Sequence, residues 1–270
     1  MRTCGNSSLE GWKIDSSEND LWKGNGCSSR RGIVVVGIGP GSEDNMTIGA
    51  KEAILACDVI IGYKSYFKAI EKLAKGKELH KFGMRKEIER CKKAIELAKD
   101  GKLVALISSG DPGIYGMAGL DLELASGENE IDIEVVPGVS AVSAAAAALG
   151  APLMHDFAVI SLSDLLTPWE KIEKRLRSAA ASDFVIALYN PKSSKRNWQI
   201  RTARDIFIQY RSPKTPVGLY AKTNGEQRYF ISDLAQFLDL PIDMNTTIIV
   251  GNSQTYVSDG RMITPRGYRI

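Results

Sequence analysis

The segment GIVVVGIGPGSEDN, which begins at Gly32, constrains the fold more than any other part of this sequence. Ile33 to Val36 is an uninterrupted β-branched run, typical of a strand that is covered on both faces of a parallel sheet. A glycine-rich turn follows, and from Met46 to Ala56 apolar residues recur at helical spacing, with Asp44 and Asn45 as candidate caps. Many nucleotide-binding α/β folds begin with this order of strand, turn and helix.

The turn itself argues against a dinucleotide site. Its glycines, Gly37, Gly39 and Gly41, are spaced GxGxG rather than GxGxxG, and Pro40 has no N–H to offer a phosphate. The second apolar run ends at Tyr63 without the carboxylate that would bind a ribose. The glycines could simply permit a tight turn, but that explanation leaves the rigid Pro-Gly tip unexplained.

Alternating strand and helix patterns continue through the first half, whereas the strands of the second half are shorter and more closely spaced. This arrangement predicts two α/β domains, the first with a mostly parallel sheet and the second with a mixed sheet. The expected division is a flexible extension at residues 1–31, an N-terminal domain at 32–127 and a C-terminal domain at 128–270.

Composition excludes several classes of protein. A net charge of +3 on 270 residues is too weak to predict a nucleic-acid partner. Four cysteines without CxxC spacing and two distant histidines predict no metal site. No apolar run approaches the roughly 20 residues that a membrane span requires, and no signal peptide is visible, so we expect a cytoplasmic protein without a membrane partner.

Two further loops follow apolar strands. Ser108–Gly116 (SSGDPGIYG) contains Asp111, whose carboxylate would suit a neutral or cationic ligand and repel a phosphate. Alternatively, Asp111 is a helix N-cap with proline at the first helical position. Val136–Ala141 (VPGVSA) has side chains small enough for its backbone to approach a flat ligand, although tight helix packing explains them equally well.

Taken together, these loops resemble the tetrapyrrole methylase superfamily, the class III S-adenosylmethionine methyltransferases, from Gly32 to about Pro265. The segments that carry the resemblance are VGIGPG, SSGDPGIYGMA, VVPGVSA, HDFAVISLSDLLTPW, ALYNPKS and TTIIVGNSQTY. Within the superfamily, GYKSYFKAI, SSGDPGIYGMAGL and HDFAVISLSDLLTPWEKI are most similar to the precorrin-3B C17-methyltransferase branch.

The resemblance implies a cofactor cleft between the two α/β domains and a homodimeric enzyme of cobalamin (vitamin B12) biosynthesis. Such an enzyme would methylate C17 of precorrin-3B or cobalt-precorrin-3, contract its ring, and convert S-adenosyl-L-methionine to S-adenosyl-L-homocysteine. A superfamily methylase that acts on another tetrapyrrole, on ribosomal RNA or on a translation factor is the main alternative. A non-catalytic protein that keeps the fold is the third.

The resemblance also implies roles for individual residues. The expected cofactor-binding residues are Pro40, Ser109, Gly110, Asp111, Ile114, Tyr115, Ser140, Ala141, Leu162, Ser163, Tyr189, Asn190, Ala221 and Thr247. Candidates for proton movement during ring contraction are Asp111, Asp164 and Lys222, followed by His155 and Tyr189. Because the family's substrate carries many carboxylates, the expected substrate-binding residues are the loop glycines and nearby cations, namely Gly39, Gly41, Arg85, Lys192, Lys195 and Arg196.

Overall fold

The computed structural model describes residues 32–127, 130–193, 196–223 and 226–269; the predicted extension at residues 1–31 lies outside these ranges. The described chain forms two five-stranded sheets and a small three-stranded sheet, with helices packed against both large sheets. The predicted α/β fold, with a parallel sheet followed by a mixed sheet, is confirmed.

The first sheet is parallel throughout. Its strands are β1 (Gly32–Gly37), β2 (Val59–Tyr63), β3 (Glu78–Phe82), β4 (Leu103–Ser108) and β5 (Ile133–Val136). Their order in the sheet is β3-β2-β4-β1-β5, so β1 is flanked by β4 and β5. The carboxyl ends of these three strands therefore lie side by side.

Helices cover both faces of this sheet, which is why β1 is buried along its whole length. On one face, α1 (Ile48–Ala56) and a 3₁₀ helix (Lys64–Ile70) pack with Val34 and Val36 of β1. On the opposite face, α2 (Glu87–Lys99) and α3 (Ala118–Leu124) pack with the alternating residues of the same strand. The β-branched run thus fills two hydrophobic cores at once.

The start of α1 differs from the prediction. Asp44 and Asn45 lie in a short 3₁₀ turn, and neither caps the helix. The N-cap is Thr47, whose hydroxyl accepts a hydrogen bond from the Ala50 N–H at 3.1 Å. The predicted caps were wrong because the apolar Met46 packs into the core ahead of the helix and does not belong to it.

The second sheet is mixed. Its strands are β7 (Phe157–Ser161), β8 (Val185–Tyr189), β9 (Pro216–Thr223), β10 (Glu226–Asp233) and β11 (Thr246–Val250). They are arranged in the order β10-β9-β11-β8-β7, where β7 and β8 are parallel and the other pairs antiparallel. One face carries α4 (Ala141–Leu149), and the other carries α5 (Trp169–Ala181) and α6 (Trp198–Ile208). The face that carries α4 also forms the floor of the site described below.

A third sheet joins β6 (Gly150–Ala151), β12 (Tyr256–Ser258) and β13 (Arg261–Ile263) beside α4. Among the described residues, no helix combines the length and the apolar character that a membrane crossing requires.

The chain passes between the two large sheets later than the division at 127/128 suggests. That division falls before β5, yet β5 pairs with β1 in the first sheet. The next helix, α4, packs against the second sheet, so the passage lies between Val136 and Ala141. The VPGVS loop therefore connects the two halves and at the same time follows a strand of the first sheet.

Candidate active site

Three glycine-containing loops pack together at the carboxyl edge of the first sheet. They follow β1, β4 and β5. Gly39 and Gly110 exchange backbone hydrogen bonds of 3.2 and 2.8 Å, which joins the first loop to the second. A Cβ on Gly138 would lie only 2.2 Å from the Gly110 carbonyl oxygen, so the third loop reaches the second at a distance that only glycine allows. The glycines are therefore required for contact between the loops.

Asp111 holds two of these loops in place. One carboxylate oxygen accepts a hydrogen bond from the Gly113 N–H at 2.9 Å, and the other accepts one from the Gly138 N–H at 3.1 Å. The alternative prediction, in which Asp111 caps a helix that begins at Pro112, is wrong because α3 begins only at Ala118. The carboxylate instead fixes its own turn and ties it to the loop after β5.

The loops open onto a cleft of about 290 Å³ between the two halves of the molecule. This volume is close to the lower end of the roughly 300–1,000 Å³ typical of small-molecule sites. The residues that line it are Pro40, Tyr63, Ser65, Tyr66, Ser109, Gly110, Asp111, Ile114, Tyr115, Ser140, Ala141, Tyr189, Asn190, Tyr220, Lys222, Met244, Asn245, Thr246 and Thr247. Both halves of the chain thus contribute to one cavity.

Tyr115 bridges the cleft from the first half to the second. Its hydroxyl donates a hydrogen bond to the Val159 carbonyl and accepts one from the Ser161 N–H, both at 3.2 Å. Its φ of 53° places a non-glycine residue in the left-handed region, a strained backbone that is common at functional sites. The strained backbone directs an aromatic side chain across the cavity to the edge strand β7.

Tyr189 and Asn190 form the opposite wall, where β8 ends. The Tyr189 hydroxyl accepts a hydrogen bond from the Val142 N–H at 2.8 Å, in the first turn of α4. Burial raises the pKa of Tyr189 above its usual value, so the phenol is neutral at pH 7. Its ring lies 5.8 Å from the ring of Tyr115, so two aromatic faces border the same part of the cleft. Asn190 has a φ of 52° and donates to the Ser161 hydroxyl at 3.0 Å.

Lys222 approaches the first loop from the second half. It lies on β9, and its Nζ donates to the Ser42 Oγ at 2.7 Å. Asn45 donates to the same oxygen at 3.3 Å, so Ser42 accepts from both residues. Lys222 and Asp111 place one cation and one carboxylate on the lining of the cleft.

Most of the predicted cofactor-binding residues line this cleft, but three do not. Leu162 is fully buried in the core of the second half, where its N–H binds the Tyr189 carbonyl. Ser163 accepts a hydrogen bond from Arg196 behind the cleft wall. Ala221 lies between Tyr220 and Lys222, and because side chains alternate along a strand, it points to the opposite face of the sheet.

The predicted catalytic residues divide in the same way. Asp111 and Lys222 line the cleft. Asp164 lies outside it and accepts a hydrogen bond from the Gln199 amide at 2.9 Å. His155 is exposed beside Asp156, away from the cleft.

The predicted substrate cations are dispersed. Arg196 is only 7% exposed and donates to the Ser163 hydroxyl and the Asn190 carbonyl, so it holds two loops together. Arg85 and Lys192 are exposed and do not line the cleft. Lys195 falls outside the described residues. Of the two loop glycines, Gly39 pairs with Gly110, and Gly41, with a φ of 104°, lies near the Lys222 side chain.

Sequence reasoning missed two further sets of lining residues. Tyr63 ends β2, and Ser65 and Tyr66 come from the 3₁₀ helix that follows it. Tyr220 comes from β9, and residues 244–246 come from the turn before β11 and the first residue of that strand. The signal for Tyr220 was the alternation along β9, since a side chain two positions from Lys222 faces the same way. Its hydroxyl has no hydrogen-bond partner within the described chain, although Tyr220 is buried.

No group of three or more His, Cys, Asp or Glu side chains suited to holding a metal ion occurs among the described residues. A cleft between a parallel and a mixed sheet, at loops that follow the strands, is typical of α/β enzymes that bind small molecules.

Comparison with known proteins identifies the family. The tetrapyrrole (corrin/porphyrin) methylases match residues 32–237. A Salmonella typhimurium protein named as a probable cobalt-factor III C(17)-methyltransferase is 50% identical over 241 residues, which cover 88% of this chain and all of that protein. The cobalt-factor III methyltransferase of Priestia megaterium is 48% identical over 88% of this chain, but the match covers only 45% of that relative. The crystal structure of the methyltransferase CobJ superposes with a TM-score of 0.79 at 37% identity, over 87% of this chain and 100% of that one.

The chain therefore belongs to the tetrapyrrole methylase family, as its loops predicted.

Proposed function

We propose that this protein transfers a methyl group from S-adenosylmethionine to C17 of a tetrapyrrole intermediate of cobalamin biosynthesis, with contraction of the ring. The relatives named as cobalt-factor III methyltransferases, at 48 and 50% identity, support this substrate class. The structural observation that carries the proposal is the single cleft that the three glycine loops share with the second sheet.

The residues of the cleft fit S-adenosylmethionine. A sulfonium is a cation, and the lining offers the aromatic rings of Tyr115 and Tyr189, whose faces favour positive charge. Pro40 has no N–H, and the Asp111 carboxylate would repel a phosphate, which disfavours a phosphorylated nucleotide. When bound, this cofactor supplies an electrophilic methyl group on a sulfonium sulfur.

The chain's own contribution to methyl transfer is positioning. Holding two reactants in productive geometry can lower a barrier by roughly 7–11 kcal/mol, so no nucleophilic side chain is required. The paired loops and the carboxylate bridge from Asp111 to Gly138 would fix one reactant. The Tyr115 bridge to β7 would exclude water from one side of the cleft.

The tetrapyrrole would lie at the mouth of the cleft, because a macrocycle of four rings is much larger than a cavity of about 290 Å³. Among the residues that line the cleft, Lys222 is the cation, and we assign to it a carboxylate of the substrate. Of the candidates for proton movement, Lys222, Asp111 and Tyr189 line the cleft, and we propose Lys222, Asp111 or both for ring contraction.

We further propose a cytoplasmic homodimer that is divided into the two α/β domains, with the boundary in the loop from Val136 to Ala141. The homodimer is what the resemblance to the tetrapyrrole methylases implies. Cys57 and Cys91 are free and buried, which suits a reducing compartment. Light scattering on the purified protein measures the oligomeric state.

The decisive experiment is product analysis by mass spectrometry. The protein is incubated with S-adenosylmethionine and, in parallel, with cobalt-factor III, cobalt-precorrin-3 and precorrin-3B. We expect a gain of one methyl group in at least one reaction, with fragmentation that places it on C17. If calorimetry shows that the protein binds S-adenosylhomocysteine but none of the three reactions yields a methylated product, the assigned substrate class is contradicted.

A further inference from the structure

We propose that the hydroxyl of Tyr220 binds the nucleoside cofactor at the floor of the cleft, an assignment that rests on the proposed function. Tyr220 lies on β9 of the second sheet. None of the sequence motifs pointed to it, and it has no part in the bridges that hold the loops together.

The first observation is an unsatisfied polar atom. Tyr220 is 3% exposed, and its hydroxyl is buried without a hydrogen-bond partner within the described residues. A buried hydroxyl that has lost water and found no replacement destabilises the folded protein, so such groups are uncommon. Phenylalanine would fill the same volume without that cost, so the stability of the ligand-free protein does not explain the tyrosine.

The second observation is the position of the residue. Tyr220 lines the cleft, while its ring packs in the core formed by α4 and the second sheet. Directly across from it on β11 is Thr247, a predicted cofactor residue that also lines the cleft. Lys222, two positions along β9, faces the same cavity. Tyr220 therefore packs in the core and borders the ligand space at the same time.

The chemistry of the Tyr220 hydroxyl limits the kinds of ligand atom that it can bind. Burial raises the pKa of Tyr220, so the phenol stays protonated at neutral pH and can both donate and accept one hydrogen bond. A neutral phenol suits the uncharged polar atoms of a nucleoside, such as ribose hydroxyls and ring nitrogens. It offers little to the carboxylates of a tetrapyrrole, for which Lys222 is better suited.

The test compares Tyr220→Phe with Tyr229→Phe. Tyr229 is the cross-strand partner of Tyr220 on β10; it is 54% exposed and does not line the cleft. Calorimetry measures the Kd of each protein for S-adenosylhomocysteine, and thermal unfolding measures the Tm of each ligand-free protein. We expect the Kd of Tyr220→Phe to rise about 5- to 10-fold, the equivalent of one hydrogen bond, while its ligand-free Tm stays unchanged or increases.

Results of three kinds would overturn the assignment. A Kd of Tyr220→Phe within about twofold of wild type, or a Kd that rises as much in Tyr229→Phe, shows that the hydroxyl does not contact the ligand. A fall of more than about 3 °C in the ligand-free Tm of Tyr220→Phe shows that the hydroxyl is structural. If the wild-type protein itself does not bind S-adenosylhomocysteine, the proposed function fails together with this inference, and that result is distinct from the other two.

Discussion

Asp111 gives the sharpest test of how the cleft works, because its two possible roles predict different effects on two ligands. As a charged ligand contact, the carboxylate would favour the cationic sulfonium of S-adenosylmethionine over the neutral sulfur of S-adenosylhomocysteine. As a link between loops, it would support both ligands equally. Both of its oxygens already accept backbone hydrogen bonds, from Gly113 and Gly138, which favours the second role.

The expected loss of cofactor affinity follows from the hydrogen bond between Asp111 and the Gly138 N–H, which joins two separate loops. Hydrogen bonds to charged groups contribute roughly 1.5–3 kcal/mol. Because the Gly39–Gly110 backbone pair also holds the loops, we expect an effect at the lower end of that range. Asp111→Ala should weaken the free energy of cofactor binding by about 1.5 kcal/mol. This energy corresponds to about a tenfold increase in Kd. Asp111→Asn keeps one acceptor oxygen, and we expect an intermediate increase.

Calorimetry with both ligands measures the effect directly. We expect the Kd values for S-adenosylmethionine and S-adenosylhomocysteine to rise by the same factor in each variant, within about twofold. Glu43→Ala is a matched control, since it removes a carboxylate from the 3₁₀ turn that follows the first loop but not from the cleft. Selective loss of S-adenosylmethionine affinity would refute the loop-linking explanation and would restore Asp111 as a charge contact.

Three further predictions concern other parts of the structure. Tyr115→Phe removes both hydrogen bonds to β7, so the dissociation rate of S-adenosylhomocysteine in stopped-flow experiments should increase about 5- to 10-fold; an unchanged rate would mean that the bridge does not close the cleft. Lys222→Met should raise the KM for the tetrapyrrole at least about tenfold while changing the Kd of S-adenosylhomocysteine less than about twofold, and the reverse pattern would assign Lys222 to the cofactor. Burial raises the pKa of Asp121 from 3.8 to about 6, so the folded state binds this proton more tightly than the unfolded chain, and the free energy of unfolding should fall as pH rises from about 4 to about 6. Asp121→Asn should remove this fall, with a gain of about 3 kcal/mol at pH 7.5 and almost none at pH 4 in urea denaturation; equal gains at both pH values would contradict the assignment.

Local sequence patterns predicted the elements that are buried on both faces. The Ile33–Val36 run could be read without tertiary information, because a strand that fills two cores must be apolar at every position. β5 was harder to place: only four residues long and partly exposed, it carries no pattern that distinguishes the edge of the first sheet from the start of the second. Its pairing with β1 is a long-range contact that its own residues do not encode.

The site was predictable to the extent that it consists of loops. The three glycine loops could be identified because glycine and proline occur where the local backbone conformation requires them. Neighbouring parallel strands then bring the loops together. The roles of charged side chains were less predictable. Arg196 was expected at the substrate because the KSSKR segment directly follows the YNP turn. It is instead buried between two loops, since its partners at Ser163 and Asn190 are defined only in three dimensions.

The contacts within the first half of the cleft differ in kind from the contacts between its two halves. This difference indicates how the cleft can open. Within the first half, the loops are joined by backbone pairs and by close glycine contacts that cannot be adjusted gradually. Two of the side-chain contacts between the halves are the Tyr115 bridge to β7 and the Lys222–Ser42 hydrogen bond. Side-chain hydrogen bonds in a solvated cleft contribute only about 0.5–1.5 kcal/mol each, so they can break and re-form as ligands enter and leave. Rigid loops joined across the cleft by a few weak bridges would keep the reactants aligned and still allow the product to leave.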